Sequence, residues 1–130
     1  MNVQKPGIER RRYPRFPVEY PISYAEKPGL GVSTGMAMNL SEGGLLAYFH
    51  DRMTVGTELD LEMFYTYRHQ FTSLNTEARI VWKDIVETSE AIQYQYGIEF
   101  TGMDPQERVR LRNLLGSIGP PHYHVLGEPP

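Results

Sequence analysis

The chain has 130 residues, 40% of them hydrophobic, a net charge of −3 and no cysteine. That is enough for one domain with a modest tail, and it excludes a disulfide framework and a thiolate zinc site. Acidic residues are spread along the chain while Arg10, Arg11, Arg12 and Arg15 cluster, which argues against a duplex-DNA binder with a basic face and favours a small anionic ligand. The N-terminus has no apolar leader and no apolar run approaches the ~20 residues of a membrane span, so a cytoplasmic protein is expected.

Residues 1–9 are polar and are expected to be flexible. Pro14 and Pro17 keep the segment after Arg10 extended. From Phe16 the pattern has period two, with Phe16, Val18, Tyr20, Ile22 and Tyr24 on one face of a strand. Pro17 and Pro21 lack amide donors, so this strand is expected at an edge or with a bulge. Thr34–Leu40 alternates again, Ser41–Gly43 turns the chain, and Leu45, Ala47 and Phe49 begin the next strand.

After a charged loop over His50–Gly56, Leu59, Leu61, Met63 and Tyr65 alternate with Glu58, Asp60 and Glu62, and Tyr67–Gln70 reads as a turn. Leu74, Thr76, Ala78, Ile80 and Trp82 are expected on one face of a long strand, followed by an acidic loop over Asp84–Ala91. Ile92, Tyr94, Tyr96, Ile98 and Phe100 form the last of six strands, the number and spacing of an all-β barrel or sandwich. At Asp104 the pattern changes to a helix, with Asp104 as cap, Pro105 in the first position and Glu107 completing a reciprocal cap. Leu111, Leu114, Leu115 and Ile118 make its buried stripe, and Arg108, Arg110 and Arg112 its solvated face. Residues 119–130 are rich in Pro and Gly and read as a disordered tail, in which His122-Tyr123-His124 is an incidental pair of histidines rather than a metal site.

Two segments carry chemistry. Arg11 and Arg15 cannot share a helix across Pro14 and Pro17, but in an extended arm they can reach around a ligand. Their forked guanidinium groups grip phosphate, pair with the edge of a guanine or stack on a purine. Asn39 and Ser41, two apart at a strand end, offer an amide and a hydroxyl on one side, and Gly43 and Gly44 permit a tight turn or close backbone approach. No pattern of an activated nucleophile, a phosphate-binding loop or a zinc protease occurs, so no enzyme activity and no cofactor are expected. Taken alone, the arginine cluster is most simply a solvated basic arm and Asn39–Gly44 a β-turn. Trp82 taken alone reads as a core or interface residue.

Arg11-Arg12-Tyr13-Pro14-Arg15 followed by Asn39-Leu40-Ser41-Glu42-Gly43-Gly44 resembles the paired RxxxR and [D/N]xSxxG motifs of the PilZ domain, a family of bacterial receptors for the second messenger cyclic di-GMP. The resemblance runs from Arg10 to Leu115 and includes the Ala78–Trp82 and Tyr96–Phe100 strands. It implies a six-stranded antiparallel split barrel with one C-terminal helix over residues 10–118. It further implies that Arg11 and Arg15 contact phosphate and guanine, and that Asn39, Ser41 and Gly44 line the guanine edge. Arg12, Gly43 and Trp82 are possible further contacts. On this reading the arm orders over the ligand and a downstream protein, unidentified by the sequence, reads the new surface, with the receptor as a monomer or homodimer. The rival readings are a barrel that binds single-stranded nucleic acid and a protein-interaction module of the same fold that binds no nucleotide.

Overall fold

The computed structural model describes residues 13–29 and 31–118. Among these residues six strands follow the alternation, β1 (Phe16–Glu26), β2 (Ser33–Leu40), β3 (Gly44–Phe49), β4 (Glu58–Tyr67), β5 (Gln70–Glu87) and β6 (Ile92–Phe100), before one helix, α1 (Pro105–Ile118). All neighbours are antiparallel, and the sheet closes on itself in the order β1-β2-β3-β6-β5-β4. Closure lets the inward residue of every pleat bury on one core, including Ile22, Tyr24, Leu40, Leu59, Met63, Ile80, Tyr96 and Ile98.

The ring is split along one seam. β1 pairs with β2 from Phe16 onward, but with β4 only over Ile22–Glu26. The expected edge and the expected bulge are therefore both present, since among the described residues Phe16–Pro21 has β2 alone as a strand partner and the register slips between Pro17 and Tyr20. Side chains fill the seam, with the rings of Tyr20 and Tyr65 6.1 Å apart.

The two barrel ends are closed differently. At one, Met53 is buried in the loop after β3, and its amide donates to the Tyr96 hydroxyl at 2.8 Å, which in turn donates to the Asp51 carbonyl at 2.9 Å. At the other, α1 lays Leu111, Leu114 and Leu115 into the core. Pro105 opens the helix as expected, and Arg108 N–H makes the first helical bond to the Asp104 carbonyl at 2.9 Å. Glu107 does not complete the expected reciprocal cap but reaches the barrel, accepting from the Asn75 amide at 3.3 Å.

Three further expectations are corrected. The acidic stretch from Asp84 is not loop as far as Ala91, because β5 continues to Glu87 and pairs with β6 to its tip. Trp82 is not on the face of Leu74, Thr76, Ala78 and Ile80: one extra residue between Ile80 and Trp82 shifts the register and turns Trp82 outward, opposite Gly97. The helix arginines are not simply solvated: Arg110 donates to the Ser73 carbonyl at 2.7 Å, and Arg108 and Arg112 both reach Glu42.

Candidate functional site

The segment after β2 is a tight, self-bonded turn. Ser41 is buried, and its N–H donates to the Gly44 carbonyl at 2.9 Å. Its hydroxyl accepts from Gly43 N–H at 3.2 Å and donates to the Gly44 carbonyl at 3.3 Å. Phe100 N–H donates to the Gly43 carbonyl at 2.9 Å, so the turn is also fastened to β6. The Ser41 hydroxyl thus shapes the backbone at 41–44, and Asn39 is more accessible than Ser41.

Asn39 owes its orientation to a bulge. Ala37 pairs with Ala47 but Asn39 with Leu46, so β2 carries one residue more than β3. That extra residue lets Ala37 and Leu40, three apart, both enter the core. Asn39, the pleat neighbour of Leu40, lies half-buried on the outer face.

Pairing of β1 with β2 fixes the arm relative to this turn. Phe16 stands opposite Leu40 and Pro17 opposite Asn39, so the chain leaving β1 toward its N-terminus runs from Phe16 to Arg15 alongside Ser41. Arg15 is half-buried there. Arg11 and Arg12 lie outside the described residues.

The register continues across five strands as one outer row: Pro17, Asn39, Leu46, Gly97 and Trp82. Asn39 and Trp82 are three strand spacings apart along it, about 14 Å. Between them Leu46 is buried without belonging to the core cluster, and the Trp82 indole covers Gly97. The indole Nε1 is buried with no hydrogen-bond partner among the described residues. Next to this row a groove of about 480 Å³ runs past Met36, Met38, Tyr48 and Gln93. A larger groove of about 630 Å³ lies away from the motif and is lined by Asp60, Glu62, Glu77 and Asp104, a poor setting for an anion.

Two carboxylates flank the turn. Glu42 lies within it, with Arg112 Nε 3.3 Å from Oε1 and Arg108 Nη1 donating to its carbonyl at 3.3 Å. Glu99 stands opposite Gly44 and pairs with Arg79 at 2.8 Å. None of these five residues was among the expected site residues. The four-residue spacing of Arg108 and Arg112 marks one face of a helix, but nothing in the sequence says that this face meets the β2–β3 turn. No group of three His, Cys, Asp or Glu among the described residues is placed to hold a metal ion, and His122 and His124 fall outside them.

The family model that matches the chain describes a PilZ domain and covers residues 9–117. The chain belongs to the PilZ domain family. Its fold is similar to the PilZ domain of Escherichia coli YcgR solved with c-di-GMP, at a TM-score of 0.69 and 14% identity over 92% of this chain and 99% of that one. It is also similar to the Bacillus subtilis inhibitor of motility MotI/DgrA, at a TM-score of 0.68 and 15% identity over 88% of this chain and 55% of that one. The K. pneumonia MrkH–c-di-GMP complex matches with a TM-score of 0.66 and 15% identity over 85% and 52%. The chain thus spans about half the length of the latter two proteins. No curated protein matches it. Among the described residues no helix of this PilZ domain is long and apolar enough to cross a membrane.

Proposed function

We propose that the chain is a non-catalytic, cytoplasmic receptor for cyclic di-GMP. The observation that carries this reading is the pairing of Phe16 with Leu40, which sets the last arginine of the RxxxR arm beside the Asn39–Gly44 turn. Arg15 and Arg11 supply the phosphate and guanine contacts. Asn39 reads a guanine edge, and the Ser41–Gly44 turn presents backbone to the ligand. Arg12, Gly43 and Trp82 are further contacts on the same reading. Membership of the PilZ family and the fold shared with YcgR and MrkH, both solved with c-di-GMP, support it. Closure of the arm creates a surface that a downstream protein reads.

Titration calorimetry with cyclic di-GMP, GMP and cyclic GMP tests the reading. Binding of cyclic di-GMP alone is expected, weakened by about 2–5 kcal/mol in Arg11→Ala or Arg15→Ala if each guanidinium is a desolvated phosphate contact. Affinity should fall with salt, because exposed charges are screened over about 10 Å at 0.1 M. Equal binding by both variants and the wild type would sink the clamp.

A further inference from the structure

An anion placed on the Asn39–Gly44 turn meets two carboxylates, Glu42 within the turn and Glu99 opposite Gly44. Each is held by an arginine from another element: Glu42 by Arg112 of α1, whose neighbour Arg108 also holds the Glu42 carbonyl, and Glu99 by Arg79 of β5. We propose that Arg79 and Arg112 are positioning residues of the anion site that act by neutralising these flanking carboxylates, with Arg108 fixing the backbone from which Glu42 projects. This rests on the receptor reading only for the identity of the anion; the charge masking itself concerns the turn.

The physical case is one of sign and distance. Surface ion pairs contribute little to stability, so two such pairs at one turn are poorly explained as fold stabilisers. Their electrostatic effect on a neighbouring anion is larger in proportion. A carboxylate released a few ångströms from a phosphate in a largely aqueous setting weakens binding by about threefold, and low salt enlarges the effect. α1 also plugs the barrel through Leu111, Leu114 and Leu115, so the cation that masks Glu42 stands on a rigid support.

A charge-restoration series tests this. Arg112→Ala and Arg79→Ala are each expected to weaken cyclic di-GMP binding about threefold at low salt. Arg112→Ala with Glu42→Gln, and Arg79→Ala with Glu99→Gln, are expected to regain wild-type affinity, because no charge remains to be masked. A purely structural role for the arginines predicts no rescue, and double variants as weak as the single ones overturn the proposal; thermal melting of every variant guards against misfolding.

A ligand-free arm separates this proposal from the receptor reading. The protein has no native cysteine, so Asn39→Cys places a single thiol on the site. Its pKa is expected to rise by about 0.3 when Arg112 or Arg79 is removed, and to return when the partner glutamate becomes glutamine. If the wild type ignores cyclic di-GMP while the thiol moves as expected, the receptor reading falls and the charge masking stands. A thiol pKa indifferent to all four substitutions overturns the masking whatever the ligand.

Discussion

The indole of Trp82 fills the space that a side chain at position 97 would need: a Cβ built on Gly97 collides with its Nε1, Cε2 and Cδ1 atoms. The two residues face each other across β5 and β6 on the outer row that also carries Asn39. Gly97 is thus required by the ring lying over it.

Gly97→Ala should force the indole off the sheet at a cost of about 1–3 kcal/mol, as overpacking does elsewhere. Trp82 is the protein's one tryptophan, so urea melts followed by its fluorescence report stability and ring environment together. Trp82→Phe should cost less than about 1 kcal/mol, because the buried, unpartnered Nε1 disappears with the larger ring. A Gly97→Ala protein with unaltered stability and emission would mean that the ring has room to move.

Ser41→Ala removes the hydroxyl that accepts from Gly43 N–H and donates to the Gly44 carbonyl. Leaving the Gly43 amide unsatisfied in a buried turn should cost about 1–2 kcal/mol by chemical denaturation. Hydrogen exchange at Gly43 should accelerate in step. Wild-type stability in this variant would show that the turn is held by backbone bonds alone.

The β4–β5 hairpin turns through Arg68 and His69, both with positive φ, at 51° and 68°. Two-residue turns of this hand favour Asn-Gly, because other side chains are strained there. Arg68→Asn with His69→Gly should therefore raise stability by about 0.5–1 kcal/mol, after loss of the contact between Arg68 and the Tyr67 ring. The check is a thermal melt, and a lower melting temperature would count against strain at the turn.

Burial pushes the hydroxyls of Tyr20, Tyr24, Tyr65 and Tyr96 above the ordinary value of 10, and in Tyr24 the hydrogen bond to Asp51 adds to the rise. Above pH 10 the unfolded chain loses these protons first, so their stabilisation is complete below that value and is lost as pH climbs further. Asp51 works in reverse. The Tyr24 and Ser33 hydroxyls hold its carboxyl below 3.8, so its contribution is present above that value and is lost as pH falls through the folded pKa. An alkaline absorbance titration should show these four tyrosines ionising only as the barrel opens. Ionisation of all four near 10 in a folded protein would contradict the burial.

Most strands were legible because the core imposes period two wherever the ladder is regular. Leu59, Leu61 and Met63 alternate with Glu58, Asp60 and Glu62, and with Tyr65 they are all buried. The motif turn was legible because Ser and Gly are selected there by local backbone demands. What escaped reading is what insertions and distant packing decide. Val81 is apolar like its neighbours, so the extra residue that turns Trp82 outward leaves no break in the pattern. Likewise Arg108 and Arg112 look like ordinary solvent-facing residues until the helix is docked, since their partner Glu42 is more than sixty positions away in the chain.

The seam along Phe16–Pro21 bears on solubility. A half-strand with a single ladder neighbour is where a foreign backbone could add itself, beginning a chain of intermolecular sheets. Two of the six residues there are prolines, which have no amide to offer such an intruder. The same imino acids that interrupt the ladder therefore act as gatekeepers, so that the opening beside the arginine arm does not become a site of fibre growth.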